Sequence, residues 1–341
     1  MKKLINDPFD VVEESLEGFV QAHEDLVRRA GRRVVARVDA PIEGKVGVVI
    51  GGGSGHLPAF MGYVGRGGAD AAPIGNIFAS PPAKPILEAT LAANGGAGVV
   101  YSYGNYAGDV MNFDRAAARA AAEHGIPVET VLVTDDVASA PPDQVGRRRG
   151  IAGDFFVFKI LAAKAETMAD LASVVATAHR ANDATRTVGV GLTACTVPAH
   201  GKPTFHLPED ELEVGLGVHG EPGLRRSRVE PADKLVDEMI ELILADKDYA
   251  GHDVAVLVNG LGATPYEELY VLYRRARRVL EAANVRVRRS YVGEYITSLE
   301  MAGASITLLQ LDEELHDLLA APANCPMFVQ MGPRHVGVRH G

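Results

Sequence analysis

Residues 8–29 carry apolar side chains at Phe9, Val12, Leu16, Phe19, Val20 and Val27, near the spacing of one helical face, and predict an amphipathic helix. The pattern then changes. "KVGVVIGGGSGH" is a short apolar run ending in glycines, which reads as a buried strand entering a loop. "PPAKPILEATLAANGG" has proline in its first turn and glycine past its end, the punctuation of a helix. "AGVVYSYGNYAGD" repeats the strand-to-loop pattern, "DRAAARAAAEHG" is an alanine-rich helix, and "IPVETVLVTDD" is a third strand ending in paired aspartates. Strands alternating with helices at this pitch predict a largely parallel sheet, in which ligands sit outside the carboxyl ends of the strands. "GGGSGH", "YGNYAGD" and "VTDD" all fall at such ends.

A helical stretch follows from Gly153 to Asn182, with a break near Glu166 where the pattern restarts at "TMADLASVVATAHR". The segment "TRTVGVGLTACTVPAHGKPTFHLPEDELEVGLGVHGEPG" has strand character with Pro-rich and Gly-rich turns. From Pro231 the elements alternate again: helix "DKLVDEMIELILAD", strand "DVAVLVNGLG", helix "YEELYVLYRRARRVLEAA", strand "VRVRRSYVG". No internal repeat or low-complexity segment interrupts this order. The expected architecture is α/β in two domains, 1–185 and 186–341, divided near "RANDATRT", each a mixed, largely parallel sheet flanked by helices.

Length supports two domains, because 341 residues exceed the ~250–300 at which a single core stops growing. A net charge of −10 argues against nucleic acid or an anionic membrane as the main partner. No apolar run approaches the ~20 residues that span a bilayer, and the basic "MKKLINDP" start turns acidic without the apolar core of a signal peptide. Cys195 and Cys325 make neither a disulfide framework nor a zinc site. A cytoplasmic protein is the expectation. The arginine runs "RRRG" (147–150) and "YRRARRVL" (273–280) read as solvated faces rather than binding patches.

Candidate chemistry concentrates at strand ends and in one glycine-rich run. "GGGSGH" exposes successive backbone N–H groups like a phosphate-cradling loop, but it lacks the Lys-Ser/Thr of a Walker A motif and misses the G-x-G-x-x-G spacing. His56 at its end is either a general acid or base, or a histidine after a tight turn. Asp109 in "GNYAGDVMNF" is either a chemical carboxylate or a helix N-cap. Asp135 and Asp136 read as turn or capping residues before metal ligands, and no set of three or four ligands appears at metal spacing. In "GLGVHGEPG", Gly215, Gly217 and Gly220 leave His219 in a clearing, which suits an imidazole nucleophile approached by a small electrophile.

Together these residues resemble the substrate-binding subunit of bacterial dihydroxyacetone kinase, equivalent to the first domain of single-chain dihydroxyacetone kinases. The resemblance runs through "MKKLINDP", "GGGSGH", "GYVG", "FASP", "NYAGDVMNF", "GIAGDFFVFKI", "GLGVHGEPG", "LVNGLGATPYEELY" and "SLEMAGASITLL". It implies that His219 bonds covalently to the carbonyl carbon of a short-chain ketose as a hemiaminal, which selects a ketose over glycerol. It implies that His56 hydrogen-bonds the substrate and assists proton transfer, that Gly53 and Ser80 line the site, and that Asp109 is the base for the hydroxyl that attacks phosphorus. It places no cofactor on this chain. Mg-ATP or ADP is expected on a helical nucleotide-binding partner subunit acting in trans, with ATP or a phosphotransferase-system phosphocarrier as the donor. A homodimer is implied as well. Two positions depart from the family: Gly104 stands where many members have a substrate-contacting lysine, and Leu57 where glutamate is common. The lost lysine opens volume, so the pocket is expected to accept a ketose longer than dihydroxyacetone, such as erythrulose. The competing reading is a paralogue that captures the ketose and co-activates a transcription regulator without phosphorylating it.

Overall fold

The computed structural model describes residues 2–332, so the far end of the expected second domain, 333–341, lies outside the described residues. The first part of the chain forms α1 (Val11–Ala22), β1 (Val27–Gly31), β2 (Val34–Arg37), β3 (Gly47–Ile50), β4 (Gly52–Ser54), β5 (Ala71–Ile77), α2 (Ala83–Ala93), β6 (Val99–Gly104), α3 (Ala107–His124), β7 (Val128–Val133), α4 (Asp154–Glu166) and α5 (Leu171–Asp183). The second part forms β8 (Thr185–Thr193), β9 (Glu211–Val214), β10 (Arg225–Arg228), α6 (Ala232–Asp246), β11 (Asp253–Gly260), α7 (Tyr266–Ala282), β12 (Arg286–Gly293), β13 (Ala302–Leu311), α8 (Glu313–Ala320), β14 (Ala323–Cys325) and β15 (Phe328–Gln330).

The first sheet has the order β1-β2-β5-β3-β6-β7, with β4 beside β5. Its centre is parallel, β5 to β3, β3 to β6 and β6 to β7, while β1 and β2 join antiparallel. Successive residues of a strand point to opposite faces. Val49, Val99 and Tyr101 therefore pack with α2 and α3, and Val48, Ile50 and Val100 pack with α4 and α5. Burial on both faces is why these strands read as unbroken apolar runs.

The second sheet has the order β10-β9-β8-β13-β11-β12. Here the expected strand sense is corrected: β11 and β12 are parallel, but β10/β9, β9/β8, β8/β13 and β13/β11 are antiparallel. A parallel return needs a crossover of about a dozen residues or more, usually helical. The β12–β13 link spans only 294–301 and holds no helix, and irregular loops join β8, β9 and β10.

Helix α4, "DFFVFKILAAKAE", is buried nearly all round and has no polar face. Such a helix must lie inside the protein, and α4 packs in one core with residues of both sheets: Val48 and Val100 of the first, Ala255, Leu257 and Leu309 of the second. It ends at Glu166, as the pattern predicted, and α5 restarts with Asp170 as its N-cap, accepting from the Ser173 N–H at 2.9 Å. The N-terminal helix is shorter than its periodicity suggested. It stops at Ala22, and Val27 pairs with Arg37 in a ladder, because strand pairing supplies backbone partners that an exposed last helical turn lacks. No helix among the described residues is long and apolar enough to cross a membrane.

Candidate active site

The loops after β3 and β6 and the β9–β10 connection converge on one cavity of about 290 Å³, near the small end of the ~300–1,000 Å³ typical of small-molecule pockets. Its lining includes Gly53, His56, Ser80, Gly104, Asp109 and His219, together with Tyr106 and Asp154. Residues spread over half the sequence thus meet where the two sheets approach one another.

His56 follows β4 and is buried. Its Nδ1 lies 2.7 Å from the Thr297 carbonyl, so Nδ1 carries a proton and Nε2 faces the cavity. His219 sits on the β9–β10 loop with Nδ1 3.1 Å from Glu221 Oε1, which likewise fixes a proton on Nδ1. The two Nε2 atoms stand 3.1 Å apart. Two bare lone pairs at that distance repel, so the pair holds one proton between them. Burial, and then the neighbouring charge of His219, push the His56 pKa down to about 3. His56 is therefore neutral and offers its Nε2 lone pair to His219. Glu221 lies on the other side of His219: burial alone would raise its pKa, but the hydrogen bond from His219 and that residue's charge hold it at about 2.

The link between β12 and β13 grips both histidine loops. Besides the Thr297 carbonyl on His56, the Thr297 hydroxyl donates to the Leu57 carbonyl at 2.8 Å, the Leu299 N–H donates to Gly55 O at 2.8 Å, and the Ser298 hydroxyl donates to the Val218 carbonyl. Phe78 completes the clamp, stacked on His56 and edge-on to His219 with centroids 5.1 Å away in both cases. It does so at φ +55°, a left-handed conformation that costs a non-glycine residue ~1–3 kcal/mol and persists only when its surroundings impose it.

Asp109 lies in the first turn of α3, but the N-cap position is Tyr106, so capping does not account for it. Its Oδ1 has no hydrogen-bond partner. Burial raises its pKa to about 6, against the lowering effect of the Ser80 hydroxyl and the His219 charge. A carboxylate near that value is ionised at neutral pH yet basic enough to take a proton. Ser80 is held by Asn112, whose Nδ2 donates to its hydroxyl at 3.2 Å.

The glycines around His219 have a different purpose from the one their spacing suggested. A Cβ on Gly217 would collide with the Glu221 carboxylate and the Arg149 guanidinium, and one on Gly220 with the Phe205 ring. Gly217 makes room behind the imidazole for its counter-ion and Gly220 for the Phe205 ring, and neither lines the cavity. The glycines that open onto the cavity are Gly51, Gly52, Gly53, Gly104, Gly108 and Gly150.

Several residues at the site carried no signal that singled them out. Glu221 stood in the quoted run without a role. Arg149 belonged to a run read as a solvated face, a reading the structure corrects: Arg148 is buried against Asp246 of α6, and Arg149 pairs with Asp136 at 2.7 Å and reaches Glu221 at 3.8 Å. The loop between β7 and α4 crosses toward the second sheet there, which is what encloses it. The other run, on α7, stays at the surface in ion pairs with α6, such as Arg275 with Asp237. Asp135 and Asp136 cap and turn: Asp135 accepts from the Ile151 and Gly153 N–H groups at 2.8 and 2.7 Å, and Asp136 from Ala138 at 3.1 Å. Among the described residues no group of three or more His, Cys, Asp or Glu is placed to hold a metal ion.

The Dak1 domain matches residues 17–327 of the chain. Among curated relatives, the dihydroxyacetone-binding subunit DhaK of PTS-dependent dihydroxyacetone kinase 2 from Listeria innocua is 47% identical, over 96% of this chain and 99% of its own. L-erythrulose kinase of Pectobacterium atrosepticum is 46% identical over 96% of this chain, which spans only 56% of that protein. Among solved structures, a dihydroxyacetone kinase operon co-activator, Dha-DhaQ, superposes with a TM-score of 0.87 at 32% identity, covering 93% of this chain and 98% of that one.

Proposed function

The chain belongs to the Dak1 domain family, and from that footing we propose that it is the ketose-binding subunit of a dihydroxyacetone-type kinase. Its work is to hold a short-chain ketose on His219 while a partner delivers a phosphoryl group to a terminal hydroxyl. The observation that carries the reading is the 3.1 Å contact between the two imidazole Nε2 atoms, in a cavity that also contains an unpartnered carboxylate oxygen.

The proposed chemistry follows from where the protons are. His56 Nε2 accepts the proton of His219 Nε2 and uncovers the nucleophile. His219 Nε2 then adds to the carbonyl carbon as the C=O π pair moves to oxygen, and His56 returns the proton to that oxygen. The product is a hemiaminal whose ring is cationic and lies beside Glu221. Asp109 accepts the proton of the terminal hydroxyl as that oxygen attacks phosphorus, and the bond between phosphorus and its donor breaks, leaving the donor group on the partner. Phosphoryl transfer draws mainly on positioning and charge stabilisation, and a tethered, oriented hydroxyl supplies the first. Gly53 and Ser80 border the bound ketose. Gly104 lines the cavity without a side chain or charge, and a ketose longer than three carbons as substrate is in keeping with an erythrulose kinase among the relatives.

The phosphoryl donor belongs to the partner in this proposal. It is ATP with Mg on a helical subunit, or a phosphotransferase relay in which that subunit keeps ADP, the latter favoured by the PTS-dependent relative. A homodimer is part of the same proposal, and light scattering decides it. A second reading is favoured by one observation, the closely superposing co-activator: the chain captures the ketose and signals without phosphorylating it. Asp109, a placed base that capture alone does not require, argues for the kinase. The deciding experiment mixes the chain with its candidate partner, a phosphoryl donor and dihydroxyacetone or erythrulose. Sugar phosphate supports the kinase; covalent capture with no phosphorylation by any candidate partner supports the co-activator.

A further inference from the structure

Four buried side-chain oxygens among the described residues lack a hydrogen-bond partner: Tyr103 Oη, Tyr106 Oη, Asp109 Oδ1 and Asp154 Oδ1. Three belong to residues lining the same cavity. A buried polar atom left without a partner is costly, so such a cluster calls for a ligand that satisfies it. Asp109 is accounted for by the reacting hydroxyl. Tyr106 and Asp154 are not.

Asp154 opens α4 and is 4% exposed. It lies next to the bare backbone of Gly104, where a Cβ would stand 2.9 Å from the Gly150 carbonyl oxygen, 3.2 Å from Tyr106 Cε2 and 3.4 Å from Asp154 Oδ2. Gly104, Gly150, Tyr106 and Asp154 thus form one close-set corner of the cavity. Tyr106 also packs edge-on to the His219 ring, with centroids 4.9 Å apart, so the same corner borders the attachment point. Burial, with the nearby charges of Asp135 and Asp109, pushes the Asp154 pKa well above the usual carboxylate range, and burial keeps the Tyr106 phenol protonated. A neutral acid and a phenol each donate and accept one hydrogen bond, as an alcohol does.

Depth orients the substrate. Phosphorus arrives from outside, so the reacting hydroxyl belongs at Asp109, the less buried of the two carboxylates, and the other arm of the ketose points toward buried Gly104, Gly150 and Asp154. We propose that Asp154 and Tyr106 form a hydroxyl-recognition subsite for the vicinal-diol arm of a four-carbon ketose. A tetrulose phosphorylated at C1 presents two hydroxyls to that corner; dihydroxyacetone presents one. This rests on the ketose-capture reading of the site and adds the residues that set chain length.

The test uses the chain alone, titrated with erythrulose and with dihydroxyacetone, and reads the covalent adduct by intact-protein mass. Asp154→Val and Tyr106→Phe are each expected to lower the ratio of erythrulose to dihydroxyacetone affinity by about tenfold or more. Asp154→Asn, which keeps a donor and an acceptor, is expected to restore most of it. Dihydroxyacetone adduct in the variants shows that they are folded. If the wild-type chain captures both ketoses and the ratio is unchanged in both variants, the subsite is overturned and the capture reading stands. A wild-type chain that captures neither overturns the reading and the subsite together.

Discussion

Asp109→Asn is expected to stabilise the protein while disabling it, and the pH dependence of the gain identifies its cause. Burial moves the Asp109 pKa from 3.8 to about 6, about two units, and each unit is worth ~1.4 kcal/mol. The folded state therefore holds this proton more tightly than the unfolded chain. As pH rises from about 4 to about 6 the unfolded state releases the proton first, and wild-type stability falls by up to ~3 kcal/mol. Because Asp109 is partly open to solvent, about 1–3 kcal/mol is the expected range. Asparagine has no proton to lose, so its advantage should be absent below about pH 4, grow up to about pH 6 and stay constant above that. Urea unfolding of both proteins across that range measures the difference, and any hydrogen bonds gained or lost by the amide enter as a constant offset. A difference that does not vary with pH, or that shrinks as pH rises, would refute the argument that burial strains this carboxylate. The same variant should still form the ketose adduct and fail to yield sugar phosphate; undiminished turnover removes Asp109 from the role of base.

Three further outcomes are expected. His219→Ala should abolish the mass increment of covalently held ketose, and persistence of the adduct would mean that another residue makes the bond. Glu221→Gln removes the anion that balances the cationic ring; adduct affinity at neutral pH should fall by about tenfold, and unchanged affinity would deny the carboxylate that role. Gly217→Ala puts a methyl group into the Glu221–Arg149 contact without touching the cavity. It should weaken capture nearly as much as Glu221→Gln, and normal capture would show that the loop can give way.

Much of the framework was legible because it follows local rules. The parallel core of the first sheet, the break between α4 and α5, and the strand-end placement of His56 and Asp109 come from periodicity, from glycine and proline punctuation, and from the two-faced burial of β3 and β6. The ordered motif blocks carried the family. What stayed hidden depended on contacts between segments distant in sequence. Thr297 reaches His56 across 241 residues, and nothing in "EYITSLEM" announces a clamp. Arg148 reads as one more surface arginine until α6 brings Asp246 to it.

The sequence by itself determined the α/β character, the helix and strand order, the family and the residues that carry the proposed chemistry, because propensity, periodicity and motif order are properties of short windows. Only the tertiary structure decided the antiparallel sense of the second sheet, the single proton shared by His56 and His219, and the service Gly217 does to Glu221 rather than to a ligand. Each depends on distance and burial between parts of the chain that no window contains. Strand sense needs to know which edge a loop can reach, a tautomer needs to know what faces each nitrogen, and a glycine's purpose is set by whatever would collide with its missing side chain.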